Sequence, residues 1–173
     1  MKTIIRGGIL LGVLVTIWTY IFGLTGMHKN MGSAMMFPIV ATVIELGVLL
    51  WALRRTAAEG RNWFGQVSAG TMLAFVGGCL ILATSYIYLT QIHPTYPNEV
   101  HEAGLALYRS QGMPEARIEE LTALQAPYEA PMAKAVMGFV ATVITGLILS
   151  AILAIFIRSK APRIAATVPA APA

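Results

Sequence analysis

The chain has 173 residues, of which 57% are hydrophobic and 12% charged, with a formal net charge of +4 and a mean hydropathy of +0.70. Soluble domains carry about 25% charged residues, so the composition excludes an ordinary water-soluble globule and points to an all-α bundle of membrane helices. The basic residues flank apolar runs, so membrane topology accounts for them and no nucleic-acid partner is expected.

A bilayer span needs about 20 predominantly apolar residues. Four stretches qualify, at about 4–26, 35–53, 63–91 and 135–157. The first follows Lys2 and Arg6, a start resembling a signal peptide. Its long apolar run, without a prompt small-x-small site, is read as a retained helix. The second, "IVATVIELGVLLWALRR", carries Glu45 near its middle and ends at Arg54 and Arg55. The third is free of charge from Asn62 to Ile92 and contains the single cysteine, Cys79, which has no intrachain disulfide partner.

Residues 93–134 form the one sizeable segment outside the spans. "HPTYP" opens it as a turn. "NEVHEAGLALYRSQ" and "GMPEARIEELTAL" read as two short helices, with Ile118, Leu121 and Leu124 at helical spacing. The expected fold is thus a single four-helix membrane domain over 1–160 with a short helical extracytoplasmic insertion, amphipathic in character, between the third and fourth spans. The tail 161–173 is too poor in large apolar side chains to build a core and is expected to be disordered.

Orientation follows from the basic residues near span ends. Lys2, Arg6, Arg54, Arg55, Arg61, Arg158, Lys160 and Arg163 fall on one side with a single acid, Glu59. Lys29, Arg109, Arg117 and Lys134 fall on the other with six glutamates. Both termini are therefore expected on the cytoplasmic side of a cytoplasmic (inner) membrane. Tyr20, Tyr86 and Tyr88 would mark the outer interface, and Trp51 and Trp63 the inner one.

The order of several short patterns resembles that of a bacterial membrane family, domain of unknown function 4199. They are the Arg54–Arg55 pair, "RNWFGQVSAGTMLAFVGG" opening the third span, "SYIYLTQIHPTY" leaving it, "GMPEARIEEL" in the insertion and "GLILSAILAIFIRSK" at the end. The resemblance covers about residues 35–160. It implies four membrane helices with a helical insertion, and it implies no activity and no catalytic residues.

Small residues allow membrane helices to approach closely. Gly8 and Gly12 do so on the first span, Gly70, Ala74 and Gly78 on the third, and Gly138, Thr142, Gly146, Ser150 and Ala154 on the fourth. These are the candidate packing positions, within the chain or between chains.

Glu45 is the candidate functional residue. An acidic side chain at the centre of a span costs about 2.5–3.5 kcal/mol on the translocon scale. It is expected to point inward toward Thr16 or Thr145, with Ala41 and Ala52 on its side of the helix. One reading is a proton relay or cation site. The other is a protonated glutamate that fixes helix register. No second ionisable residue lies at midplane depth in the chain, which favours register, although a homodimer would bring two copies together. His28, His93 and His101 lie near the outer interface, but no HxxxH or HxxEH spacing links them and they read as solvated, so no metal is expected. His93 is the sole weak candidate for an axial haem ligand, and no cofactor is expected. The sequence has no GxSxG, P-loop or GxGxxG and no aspartate, and it offers no catalytic residue. The expected function is that of a non-enzymatic accessory or structural subunit, or a homo-oligomer, whose partners are the lipid bilayer and other membrane chains or itself. The alternative is a small proton- or cation-coupled transporter using Glu45.

Overall fold

The computed structural model describes residues 1–157. Among them all regular structure is helical: α1 (Lys2–Leu24), α2 (Met31–Ala34), α3 (Met36–Ala58), α4 (Trp63–Ile87), α5 (Tyr96–Ser110), α6 (Glu115–Gln125) and α7 (Pro131–Phe156). A π-helical turn, Tyr88–Ile92, prolongs α4. Four stretches are long and apolar enough to cross a membrane: Lys2–Leu24, Gly32–Ala58, Trp63–Ile92 and Pro131–Phe156. This is a multi-pass membrane protein. The tail 161–173 lies outside the described residues.

The second span runs five residues past the boundary expected at Leu53. Arginine is a good helix former, so Arg54 and Arg55 do not stop the helix. It stops at Gly60, which takes a left-handed φ of 80° that glycine adopts without a Cβ penalty. Asn62 then caps α4 by accepting the Gly65 N–H at 2.9 Å. In the insertion, Gly112 ends α5 with φ 73°, and Pro114 stands just before α6. Of the apolar stripe on α6, Ile118 is buried whereas Leu124 is exposed.

Helix α4 is the centre of the bundle. Gly8 and Gly12 of α1 admit it closely: a Cβ on Gly8 would lie 2.8 Å from the Leu73 carbonyl, and one on Gly12 would lie 3.0 Å from that of Gly77. On its other side α4 meets α7. A Cβ on Gly70 would stand 2.6 Å from Ser150 Cβ, one on Gly146 would collide with Ala74, and one on Gly78 would lie 2.9 Å from the Phe139 ring. Leu11, Leu49, Leu53 and Leu73, all fully buried, fill the space between α1, α3 and α4. At the end of the bundle nearer the N-terminus, buried Gln66 donates to the carbonyls of Arg61 (3.3 Å) and Ile157 (3.0 Å), joining the α3–α4 turn to the end of α7. The helical insertion, α5 and α6, covers the opposite end.

Candidate functional site

Glu45 sits in the middle of α3 and is 5% exposed. Its Oε1 is fully buried without a hydrogen-bond partner among the described residues. A Cβ on Gly146 would stand only 2.8 Å from it, so the carboxyl is seated against the α7 backbone. Thr16 does not reach it. The Thr16 hydroxyl meets that of Thr84 at 2.8 Å, because both lie on the α1–α4 contact. Thr145 and Ala41 share Glu45's surroundings without a hydrogen bond to it, and Ala52 is buried in the core below.

Those surroundings are a cavity of ≈ 300 Å³ between α1, α3, α4 and α7. Gly138, Thr142 and Thr145 of α7 line it, as do Thr19, Thr42 and Ser85. Thr142 donates to Gly138 O at 2.9 Å and Thr19 to Val15 O at 2.9 Å. With its proton committed to the backbone, each of these oxygens has only lone pairs to offer. The lining is mostly apolar, with a carboxyl and several hydroxyl groups among it and Lys134 at the end near the insertion.

The lining on α7 runs from Lys134 to Thr145, a rise of about 16 Å at 1.5 Å per residue. Toward the termini, the close contacts of Gly70 with Ser150 and of Gly146 with Ala74 bring α4 and α7 together. Lys134 stands near the insertion, paired with Glu129 at 3.2 Å. His101 Nδ1 lies 3.6 Å from the other oxygen of Glu129.

Tyr88 and Tyr96 form the cavity wall next to the insertion. Tyr88, 1% exposed, stacks on Tyr20 at 4.9 Å between ring centroids. Gly23 makes room for it: a Cβ there would collide with the phenol oxygen and lie 2.7 Å from Cζ. Burial, and then the neighbouring Tyr88, push the Tyr96 phenol up to about 12. Behind these rings lies a cluster that sequence spacing did not disclose. His28 Nε2 lies 2.7 Å from Glu99 Oε2, and His93 Nε2 3.2 Å from Glu99 Oε1. Thr95 donates to Glu99 Oε1 at 2.8 Å, and Lys29 Nζ lies 3.1 Å from Oε2. Tyr88 OH meets His93 Nδ1 at 3.0 Å. Hydrogen bonds from His28 first, then Thr95, Lys29 and His93, hold the Glu99 carboxyl well below the usual carboxylate range.

His28 is 2% exposed rather than solvated. The first turn of α5 folds over it, with the Tyr96 ring 4.5 Å away between centroids. Glu99, Tyr96 and Thr42 were not singled out by sequence, and Tyr88 was read only as a marker of the outer interface. The one available signal was "HPTYP", whose two prolines turn the chain back onto the bundle.

A family model described as protein of unknown function (DUF4199) matches residues 6–159. No curated protein and no solved structure matches the chain. The match spans nearly the whole chain, so the protein belongs to the DUF4199 family.

Proposed function

We propose that this protein is a non-enzymatic multi-pass protein of the bacterial cytoplasmic membrane that binds a small monovalent cation, or takes up a proton, at Glu45. The observation that carries this reading is a buried carboxyl whose Oε1 has no hydrogen-bond partner among the described residues, in a cavity lined in part by hydroxyl groups. Intramembrane carboxylates are costly and face cavities where they serve ions. The Glu45 carboxyl and the hydroxyl oxygens around it offer a cation oxygen ligands. Both termini would lie in the cytoplasm and the insertion outside, on the strength of eight basic residues against four. The cavity would then load from the outer side, toward which its lining extends as far as Lys134 and Tyr96.

The subunit and homo-oligomer readings have less support. The small-residue positions Gly8, Gly12, Gly70 and Gly146, which could have received another chain, already hold helices of this one.

The test is ion flux in proteoliposomes of the full chain, read with an entrapped pH dye under imposed Na⁺, K⁺ and pH gradients. Wild type is expected to conduct at least tenfold above empty vesicles, and Glu45→Gln to return to that background. Equal flux from both, or wild-type flux at background, would sink the proposal.

A further inference from the structure

We infer that His28, His93 and Glu99 form a binding site for a divalent transition metal of the zinc type, apart from the Glu45 cavity and independent of the function proposed for it. Three elements bring the ligands together: the turn after α1, the exit from α4 and the first turn of α5. One ligand atom from each lies within 4.8 Å of the other two. Ligand atoms in tetrahedral zinc sites, about 2.0–2.1 Å from the metal, stand roughly 3.3 Å apart. The widest pair must therefore close by at most about 1.5 Å, within reach of side-chain rotation. Two imidazoles with one carboxylate suit zinc and its neighbours better than magnesium or calcium, which prefer oxygen alone.

The supporting contacts are those that ligands of this kind use. Metal-bound histidines hold their second nitrogen on a polar group, and bound carboxylates are themselves hydrogen-bonded. Tyr88 OH holds His93 Nδ1 at 3.0 Å, and Thr95 holds Glu99 Oε1 at 2.8 Å. His28 is informative in another way. Its side chain is 1% exposed, yet among the described residues Nδ1 has no hydrogen-bond partner and Nε2 has Glu99 alone. The protein buries this ring for a single polar contact, and that contact is in the ligand set. His93 and Glu99 side chains are each 22% exposed, leaving a route for the ion and a position for water as fourth ligand. Lys29, with its side chain 60% exposed, can withdraw from Glu99 when a cation arrives.

The experiment titrates the metal-free full chain in detergent with Zn²⁺ against a fluorescent chelator. X-ray absorption of the wild-type zinc complex accompanies it. One Zn²⁺ per chain is expected, with two imidazoles and oxygen ligands in the absorption spectrum. His93→Ala and Glu99→Gln are expected to weaken binding at least 100-fold, and Thr95→Val about tenfold. His101→Ala and Glu102→Gln are expected to leave it unchanged. Absence of stoichiometric binding, a spectrum without two imidazoles, or binding lost with His101 rather than His93 would each overturn the inference. The absorption measurement needs no variant, so the test stands even if a ligand substitution fails to fold.

Discussion

Replacing Glu45 by methionine is expected to make the protein more stable and to abolish the proposed ion flux. Glu45 is 5% exposed and makes no hydrogen bond among the described residues. A buried polar atom left unsatisfied costs about 1–3 kcal/mol. Methionine has a similar length, no branch and a flexible thioether, so it fills the same space against Gly146 without that penalty. For a chain of this size each kcal/mol corresponds to roughly 2–4 °C in Tm. The expected gain is therefore about 2–12 °C. Glu45→Gln keeps polar atoms in the same place and is expected to stay within about 1 kcal/mol of wild type. Thermal unfolding in detergent, in buffer free of alkali cations, measures both variants. A methionine variant less stable than wild type would refute the reasoning. It would mean that a partner from a second chain holds the carboxyl and that stability, not ion binding, is why it is there.

Two further outcomes follow from the end of the bundle near the insertion. Gly23→Ala is expected to cost about 1–3 kcal/mol, the usual cost of overpacking, because its Cβ meets the fully buried Tyr88 ring. Adding Tyr88→Phe removes the colliding oxygen and is expected to recover part of the loss, which a double-mutant cycle by thermal unfolding reads directly. In the insertion, the hydrogen bond from Arg109 (Nε to Glu115 Oε1, 2.9 Å) holds the Glu115 carboxyl below its ordinary value. The contribution of this exposed pair is thus fully present above an unfolded value of about 4.3. It fades as pH falls through the lower folded value, and it is small. Hydrogen exchange at the α5–α6 turn is expected to speed up slightly on acidification in wild type and to lose that step in Arg109→Ala. An identical step in both proteins would remove the pair as its cause.

The spans were legible because charge-free runs of this length leave few alternatives in a single chain. The place of Glu45 near the middle of its helix was legible for the same reason. Its neighbours were not, because a sequence gives the face of each helix but not where neighbouring helices part. Thr16 was expected at the depth of Glu45, yet it lies on the α1–α4 contact and pairs with Thr84. His28 and Glu99 are 71 residues apart, and only the folding of α5 over the α1–α2 turn joins them. No local spacing rule can detect such a pair.

The small-residue ladder of α7 shows how far helix geometry alone could have gone. Gly138, Thr142, Gly146, Ser150 and Ala154 recur every four residues. At 3.6 residues per turn, each step of four advances about 40° around the helix. Four steps wind the stripe about 160°, nearly to the opposite side. One stripe therefore cannot face a single straight neighbour along its whole length. Gly146, Ser150 and Ala154 are buried, the first two directly against α4, whereas Gly138 and Thr142 have turned away into the cavity wall. A Cβ at position 138 would meet nothing within 4 Å, while one at 146 would meet both Ala74 and Glu45. The spacing that reads as one packing surface is a seam at one end and the lining of a cavity at the other, and Glu45 sits where the first gives way to the second.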